Sequence, residues 1–162
     1  MEIEIKTTQE LKRYLADDLA CLLGSMAVYK FLSQGYHWNV RGADFHEYHS
    51  FFATLYEDAE ETIDLVGENI RKLGYNAPFS LEDFLALSCI DIKPAGMDPM
   101  SMCTSLYYAN QDIKSSLYKA FKCANDANEQ GIADFIAGRI DTNDKFLWML
   151  GAIIGADSTQ IG

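Results

Sequence analysis

The strongest constraint on this chain is an apolar pattern that runs from Phe45 to Leu73 in steps of three and four residues, apart from one adjacent pair. Steps of that size place side chains along one stripe of an α-helix. Asp44 is a good N-cap residue directly before the pattern, and Gly74 follows it after two basic residues. The sequence therefore predicts one long amphipathic helix from Asp44 to Leu73.

The same periodicity recurs in three further stretches and predicts an all-α chain. The other long helices are expected from near Thr8 to about Gln34, after Asp98-Pro99, and from about Gly131 to Ile154. The connection between the second and third long helices holds all three prolines, and Ser80 starts a short helix there that ends near Ser88. This order predicts a four-helix bundle with a short extra helix in the crossover between the second and third long helices.

Length and composition are those of one ordinary globular domain, expected over residues 1–162. Hydrophobic residues make up 49% of the chain, but no apolar run reaches the roughly 18–20 residues that a membrane span requires. The first residues lack the basic start and apolar core of a signal peptide. The four cysteines show no CxxC spacing. They are interpreted as small apolar residues in a reducing compartment, so we expect a cytoplasmic protein.

Two histidines and two carboxylates form a candidate metal-ligand set. His37 precedes the second helix, and His49 lies on it with Asp64 and Glu68 further along. Imidazole and carboxylate together are typical ligands of a transition metal such as iron. At ~1.5 Å per residue, His49 and Asp64 lie about 22 Å apart on one helix, so they cannot share a metal within one chain. A second copy running antiparallel across a two-fold axis would bring the two halves together.

The angular positions of these residues favour the same arrangement. Asp64 and Glu68 lie roughly 120–160° around the helix from the centre of the apolar stripe, and His49 lies on the same flank at about 60°. These side chains therefore skirt the bundle core instead of pointing into its centre. If they form one site, the site lies between subunits.

Several short segments form a specific combination. They are His37-Trp38-Asn39-Val40-Arg41-Gly42, Asp44-Phe45-His46 with His49, Leu55-Tyr56, Ile63-Asp64 followed by Glu68, Ile70-Arg71, and Asp144-Lys145-Phe146-Leu147-Trp148. Together they resemble the signature of the Dps family, the mini-ferritins that are also called DNA-binding proteins from starved cells. The resemblance covers nearly the whole chain and implies a ferritin-like four-helix bundle. The short helix near Ser80 falls where this family carries its extra helix.

The resemblance also implies a function. It implies a homododecamer, a hollow shell that oxidises ferrous iron and stores ferric iron inside, protecting against oxidative damage. The di-iron site would lie at the two-fold interface, with His37 and His49 from one chain and Asp64 and Glu68 from its mate. Glu68 would bridge the two irons, and Trp38 beside them would take up an oxidising equivalent. Hydrogen peroxide is the expected oxidant in preference to oxygen.

One position departs from the family pattern. Many members carry an acidic residue four positions after the second histidine, where this chain has Ala53. Occupancy of the second iron position is therefore open, and Glu57 and Glu60 are candidate substitutes. An alternative function is a non-catalytic nucleoid-associated protein or scaffold shell with a weakened metal site. A zinc- or manganese-binding bundle is a further alternative.

DNA binding is not expected, despite the family's name. DNA-binding members typically use a lysine-rich tail, which makes salt-dependent phosphate contacts. Here residues 1–8 contain two glutamates and one lysine, and residues 156–162 contain one aspartate and no base. The formal net charge of −11 also opposes phosphate contacts. That charge suits the attraction of cations, although ordinary solubility is the simpler explanation.

Three acidic residues near the start of the fourth long helix are candidate pore residues: Asp126, Glu129 and Asp134. Asp134 matches a position where the family gathers acids around three-fold iron-entry pores, and the other two lie just before it. A ring of such carboxylates would concentrate ferrous ions. Stabilisation of the helix N-terminus by an acid explains Asp134 equally well. Asp58, Glu60 and Glu61 are interpreted as solvent-facing charges.

Overall fold

The computed structural model describes residues 6–91 and 96–156, and within these residues the chain contains five α-helices and no strand. The helices are α1 (Thr8–Asn39), α2 (Phe45–Lys72), α3 (Leu81–Leu87), α4 (Pro99–Asp126) and α5 (Gln130–Ile154). The predicted all-α class is confirmed, together with four long helices and a short extra helix in the crossover. The N-terminal glutamates Glu2 and Glu4 and the tail aspartate Asp157 lie outside the described residues.

Local capping chemistry explains where most of the helices begin. Thr7 forms a capping box with Glu10 at the start of α1. The Ser80 side chain accepts from the backbone N–H of Asp83 at the start of α3. Asp98 accepts from the backbone N–H of Ser101, directly before the proline that opens α4.

The end of α1 differs from the prediction of about Gln34. The helix continues to Asn39, and Val40 closes it by donating its backbone N–H to the Tyr36 carbonyl oxygen. The break comes only at Gly42, whose φ of +123° is a conformation that other residues rarely adopt. The apolar periodicity ends several residues before the helix does, so periodicity alone predicts an end that is too early. As a result, His37 lies in the last turn of α1.

The core is built from the inward faces of all four long helices. α1 packs along α2, α4 packs along α5, and α1 also contacts α4. Each long helix contributes side chains with no exposed surface: Leu19 and Leu22, Phe52 and Leu55, Leu106, and Ile136. Burial of such side chains stabilises the bundle by roughly 1.5–3 kcal/mol each before entropy is counted. None of the described helices is long and apolar enough to cross a lipid bilayer.

The short helix α3 lies directly against α1. A side-chain carbon built on Gly24 of α1 would lie 2.7 Å from the Phe84 carbonyl oxygen and 3.1 Å from the Leu87 side chain. The absence of a side chain at Gly24 therefore permits this close approach. The crossover is held on α1 at this point, well away from the helix ends that carry His37 and His49.

Candidate metal centre

The chain reversal between α1 and α2 brings His37 and His49 together. His37 lies in the last turn of α1, and His49 lies in the second turn of α2. Their rings are stacked, with centroids 3.7 Å apart and an interplanar angle of 19°. Both side chains are partly buried, so one edge of the pair faces out from the bundle.

Reciprocal hydrogen bonds fix both rings. His37 Nδ1 lies 2.7 Å from the His49 carbonyl oxygen, and His49 Nδ1 lies 2.7 Å from the His37 carbonyl oxygen. A carbonyl oxygen only accepts, so each Nδ1 must donate a proton. In the neutral rings the lone pair is then on Nε2, which is the state that binds a metal.

Aromatic side chains support the pair. Phe45 stacks on His49 with centroids 4.9 Å apart, and Tyr56 meets His37 edge-on at 5.3 Å. These contacts limit rotation of both imidazoles. Trp38 is different, because 66% of it is exposed and its ring takes part in none of the described aromatic contacts within the chain.

The carboxylates lie at the opposite end of α2. Asp64 and Glu68 are exposed, and α2 is continuous from Phe45 to Lys72. His49 and Asp64 therefore lie on one unbroken helix, as the sequence predicted, and are about 22 Å apart along its axis. Across the described residues, no group of three or more histidine, cysteine, aspartate or glutamate side chains could hold a metal within one chain. One chain thus presents a pair of imidazoles at one end of α2 and, separately, a pair of carboxylates at the other.

A polar network on α1, α2, α4 and α5 fills the bundle centre. Arg139 donates two hydrogen bonds to the Asp58 carboxylate at 2.9 and 2.5 Å. Asn110 donates to the Tyr29 hydroxyl at 2.6 Å, and Asn143 donates to the Asn110 carbonyl oxygen at 3.1 Å. The space left among these residues is a cavity of about 10 Å³. Burial raises the pKa of Tyr29 well above its ordinary value, so its hydroxyl stays protonated.

This network corrects one sequence interpretation. Asp58 was expected to face solvent, but it is partly buried and paired with Arg139. Proteins with a di-iron site inside the bundle place inward glutamates and histidines there. Here an arginine, two asparagines and a tyrosine occupy that region. Any metal bound by His37 and His49 is therefore bound at the edge of the bundle.

The position one turn after His49 lacks a carboxylate, as the sequence indicated. Ala53 is partly buried on α2. Both candidate substitutes, Glu57 and Glu60, are exposed, and Glu60 pairs with Lys30 at 3.1 Å. His46 is also exposed, and its ring meets that of the preceding Phe45 edge-on at 5.4 Å. His46 therefore lies outside the stacked pair.

The candidate pore residues are held differently from one another. Asp126 pairs with Lys122 at 2.6 Å, and Glu129 pairs with Lys12 at 2.8 Å. Asp134 is exposed and makes no hydrogen bond or ion pair with the rest of the described chain. Two of the three carboxylates are therefore paired with a lysine of the same chain, and Asp134 is not.

The chain matches a known protein family and several of its relatives in sequence. The model of the ferritin-like domain matches residues 13–159. An uncharacterised protein of Haemophilus influenzae is 28% identical over 85% of this chain and 86% of its own length. A DNA protection during starvation protein of Brevibacillus brevis is 28% identical, over 74% of this chain and 80% of its own.

Solved structures of Dps proteins have the same fold as this chain. A Dps protein from Vibrio cholerae O1, described as a member of a superfamily of ferritin-like diiron-carboxylate proteins, is 26% identical with a TM-score of 0.84. That match covers 89% of this chain and 91% of the other. A Dps protein from Bacillus brevis is 25% identical with a TM-score of 0.86, covering 93% of this chain and 99% of the other. The chain belongs to the ferritin-like domain family and, within it, to the Dps proteins.

Proposed function

We propose that this protein is a ferroxidase and iron-storage protein whose oxidation site forms between two subunits. Ferrous iron is the substrate, hydrogen peroxide is the preferred oxidant, and the ferric product is stored inside a hollow homododecameric shell. Removal of iron and peroxide together would protect the cell against oxidative damage. The proposed location is the cytoplasm, and the proposed functional unit is a single domain over residues 1–162.

The observation that carries this proposal is the pair of stacked, hydrogen-bonded imidazoles. Both Nδ1 atoms donate to backbone carbonyl oxygens at 2.7 Å, which leaves Nε2 of His37 and of His49 available as ligands. Buried or half-buried histidines that serve only the core have no need for this matched orientation. The paired rings therefore support a metal-binding role better than a packing role.

The carboxylates complete the donor set only in an assembly. Asp64 and Glu68 are one turn apart on α2 and are exposed. An antiparallel copy of α2 across a two-fold axis would place them opposite the imidazole pair of the mate. Mixed nitrogen and oxygen ligands fit iron in both oxidation states. Glu68 is the proposed bridge between two iron ions, and the exposed Trp38 is the proposed neighbour that takes up an oxidising equivalent.

The reaction needs two electrons for each peroxide. Two ferrous ions at one site each give one electron, the O–O bond breaks, and two protons complete the conversion of peroxide into two water molecules. Oxidation of a pair of irons therefore avoids the release of a hydroxyl radical. The protein supplies position, charge balance and confinement. Asp134, with Asp126 and Glu129 shortly before it in the chain, is the proposed entry route for ferrous ions.

A non-catalytic scaffold shell is the competing function, favoured by one observation. Ala53 supplies no ligand one turn after His49, so the second iron position has fewer donors than the first. A DNA-compacting form of this alternative is opposed by the net charge of −11. The ferroxidase function requires the two histidines and two carboxylates for peroxide-dependent iron oxidation, whereas the scaffold function does not.

Complementation between variants tests the intersubunit site. One variant, His37→Ala/His49→Ala, lacks the imidazoles, and the other, Asp64→Ala/Glu68→Ala, lacks the carboxylates. Shells that contain both chains are purified through two affinity tags, loaded with ferrous iron without oxygen, and pulsed with peroxide. Each parent is expected to be inactive. Random pairing restores about a quarter of the wild-type sites, because half of the two-fold pairs are mixed and each has one intact site.

Two controls make the result decisive. Shells of wild-type and imidazole-free chains in equal amounts are expected to keep about half of the sites, since only the imidazole donor must be wild type. Size-exclusion chromatography checks that every variant assembles and that iron co-elutes with the protein. Activity that survives in either parent, or mixed shells no more active than the parents, would overturn the intersubunit proposal.

A further inference from the structure

Two cysteines from distant parts of the sequence meet where the crossover lies on α1. Cys21 is on α1, and Cys89 follows α3. The Cys89 backbone N–H donates to Ser25 Oγ at 3.0 Å, and Cys89 Sγ lies 3.1 Å from the same oxygen. Ser25 is one turn after Cys21 on α1 and donates to the Cys21 carbonyl oxygen at 2.8 Å. Cys89 is therefore anchored one helical turn from Cys21.

Both cysteines bond to Ser25, Cys21 through its carbonyl oxygen and Cys89 through its backbone N–H and its sulfur. Both sulfurs also lie against polar groups of α4. Ser116 Oγ of α4 lies 3.9 Å from Cys21 Sγ, and Cys89 Sγ lies 3.6 Å from the Asp112 carbonyl oxygen. Cys89 is exposed and Cys21 partly exposed. The sequence interpretation of the cysteines as small apolar residues fits the buried Cys103 but is wrong for Cys89.

We propose that Cys21 and Cys89 form a redox-active dithiol that hydrogen peroxide oxidises to a disulfide, linking α1 to the crossover within one chain. This site is separate from the histidines and carboxylates of the iron site and needs no metal. Cys21 is the attacking residue and Cys89 is the resolving residue. Exposure of Cys89 gives a thiol reductant access to the linked pair.

The electrostatics assign these two roles. The hydrogen bond from Cys89 lowers the pKa of Cys21 to about 6, assisted by Ser116, Ser25 and the positive charge of Lys119, although burial opposes the shift. The same thiol–thiol hydrogen bond, with burial, raises the pKa of Cys89. These opposite shifts favour the thiolate at Cys21 and the protonated thiol at Cys89. Thiolate is the nucleophilic form of cysteine.

Three further charged residues lie near the two cysteines: Lys119, Asp18 and Asp112. Lys119 also pairs with Asp18 at 2.6 Å, which limits its effect on Cys21. Asp112 acts on Cys89 and raises its pKa further. The charges on α1 and α4 thus favour one ionised and one protonated thiol, which is the arrangement that disulfide formation requires.

The reaction balances without another reactant. The Cys21 thiolate attacks one oxygen of peroxide, the O–O bond breaks, and Cys21 becomes a sulfenic acid. The hydroxide that leaves takes up the proton that Cys21 released on ionising and becomes water. The Cys89 sulfur then attacks the Cys21 sulfur, the S–O bond breaks, and water leaves with the Cys89 proton. Two thiols lose two electrons in total, and one peroxide becomes two water molecules. A dithiol reductant restores the starting state.

Peptide mapping of the full-length shell, freed of iron by chelation, tests this proposal. Stoichiometric peroxide is added, remaining thiols are alkylated, and the protein is digested without reductant. The expected product is a Cys21–Cys89 linked peptide that disappears on treatment with dithiothreitol. Cys123→Ser is the matched control and leaves the linked peptide unchanged. Cys89→Ser stops the reaction at a Cys21 sulfenic acid, which dimedone traps, and Cys21→Ser gives neither product.

Alkylation rates provide a second readout. At neutral pH, Cys21 is expected to react with iodoacetamide roughly tenfold faster than Cys123, whose pKa is raised by burial. In Cys89→Ser the Cys21 advantage shrinks, because the main donor to its sulfur is gone. Equal alkylation of Cys21 and Cys123, a link between Cys89 residues of two chains, or oxidation confined to other cysteines would overturn the proposal.

Discussion

His37 and His49 orient each other: each Nδ1 lies 2.7 Å from the backbone carbonyl oxygen of the other residue, and the two rings stack at 3.7 Å. The two hydrogen bonds are reciprocal: the His37 ring is held by the backbone of His49, and the His49 ring is held by the backbone of His37. Neither ring can turn over without breaking its own hydrogen bond. The fold therefore fixes Nε2 as the nitrogen that is left without a backbone partner in both rings.

This relationship predicts the tautomers of the two histidines. In the metal-free protein at alkaline pH, both neutral rings are expected to carry their proton on Nδ1, whereas the exposed His46 is free to populate both tautomers. Solid-state NMR of protein with ¹⁵N-labelled histidine measures this directly. His46→Gln is the control and should remove only the mixed signal. Nε2-protonated signals from His37 or His49 would contradict the assignment.

Ala53 predicts a gain of function. Substitution of Ala53 by Asp adds a carboxylate one turn after His49, and we expect affinity for the second iron ion to rise on the order of tenfold. Anaerobic ferrous titration would detect this as a second tight binding step per site. Thr54→Asp is the matched control, because it adds the same charge about 100° further around the helix. An equal effect from both variants would show that added charge, and not ligation, is responsible.

The helices could be predicted because their signals are local. The steps of three and four residues in α2, the Ser80 cap of α3 and Asp98-Pro99 before α4 are all read within a few neighbouring positions. The predicted end of α1 is too early because the apolar periodicity ends before the helix does. Family resemblance, and not periodicity, supplied the roles proposed for His37 and Glu68.

The interactions that sequence reasoning missed join residues far apart in the chain. Asp58 and Arg139 are 81 positions apart, and Ser25 and Cys89 are 64 apart. A carboxylate on an amphipathic helix is usually solvated, so nothing near Asp58 indicated a buried partner. Asn110 and Asn143 inside apolar stripes were the available signal, since buried asparagines require polar partners.

The Asp58–Arg139 pair predicts a large asymmetry in stability. Arg139→Met leaves the Asp58 carboxylate partly buried and unpaired, so we expect it to destabilise the protein by about 2–4 kcal/mol. Asp58→Asn combined with Arg139→Met should recover part of that loss, because no lone charge remains. Glu60→Gln removes the more exposed Glu60–Lys30 pair and should cost less than about 1 kcal/mol.

Thermal unfolding at fixed protein concentration measures these differences. A double-mutant cycle on Asp58 and Arg139 isolates their coupling from the loss of packing around each side chain. A double variant less stable than the sum of the two single variants would show that the pair does not act as inferred. An Arg139→Met variant that is as stable as Glu60→Gln would contradict the prediction in the same way.

Two aspartates at helix starts are expected to differ in how much their mutation lowers stability. The Asp98 carboxylate accepts from the Ser101 hydroxyl at 2.6 Å and from its backbone N–H at 2.9 Å, whereas Asp44 makes no side-chain capping bond to α2. We expect Asp98→Ala to lower Tm clearly at neutral pH and Asp44→Ala to lower it little. The hydrogen bonds from Ser101 also lower the pKa of Asp98 below the ordinary value of 3.8.

The sign of the pH dependence follows from that lowered pKa. A carboxyl whose pKa is lower in the folded state stabilises the fold fully above its unfolded pKa and loses this effect as the pH falls through the folded pKa. The Tm difference between wild type and Asp98→Ala should therefore be constant near neutrality and shrink as the pH drops below 3.8. Scanning calorimetry across that range checks it. A difference that stays constant through acidification would mean that Asp98 acts through backbone conformation and not through its charged carboxylate.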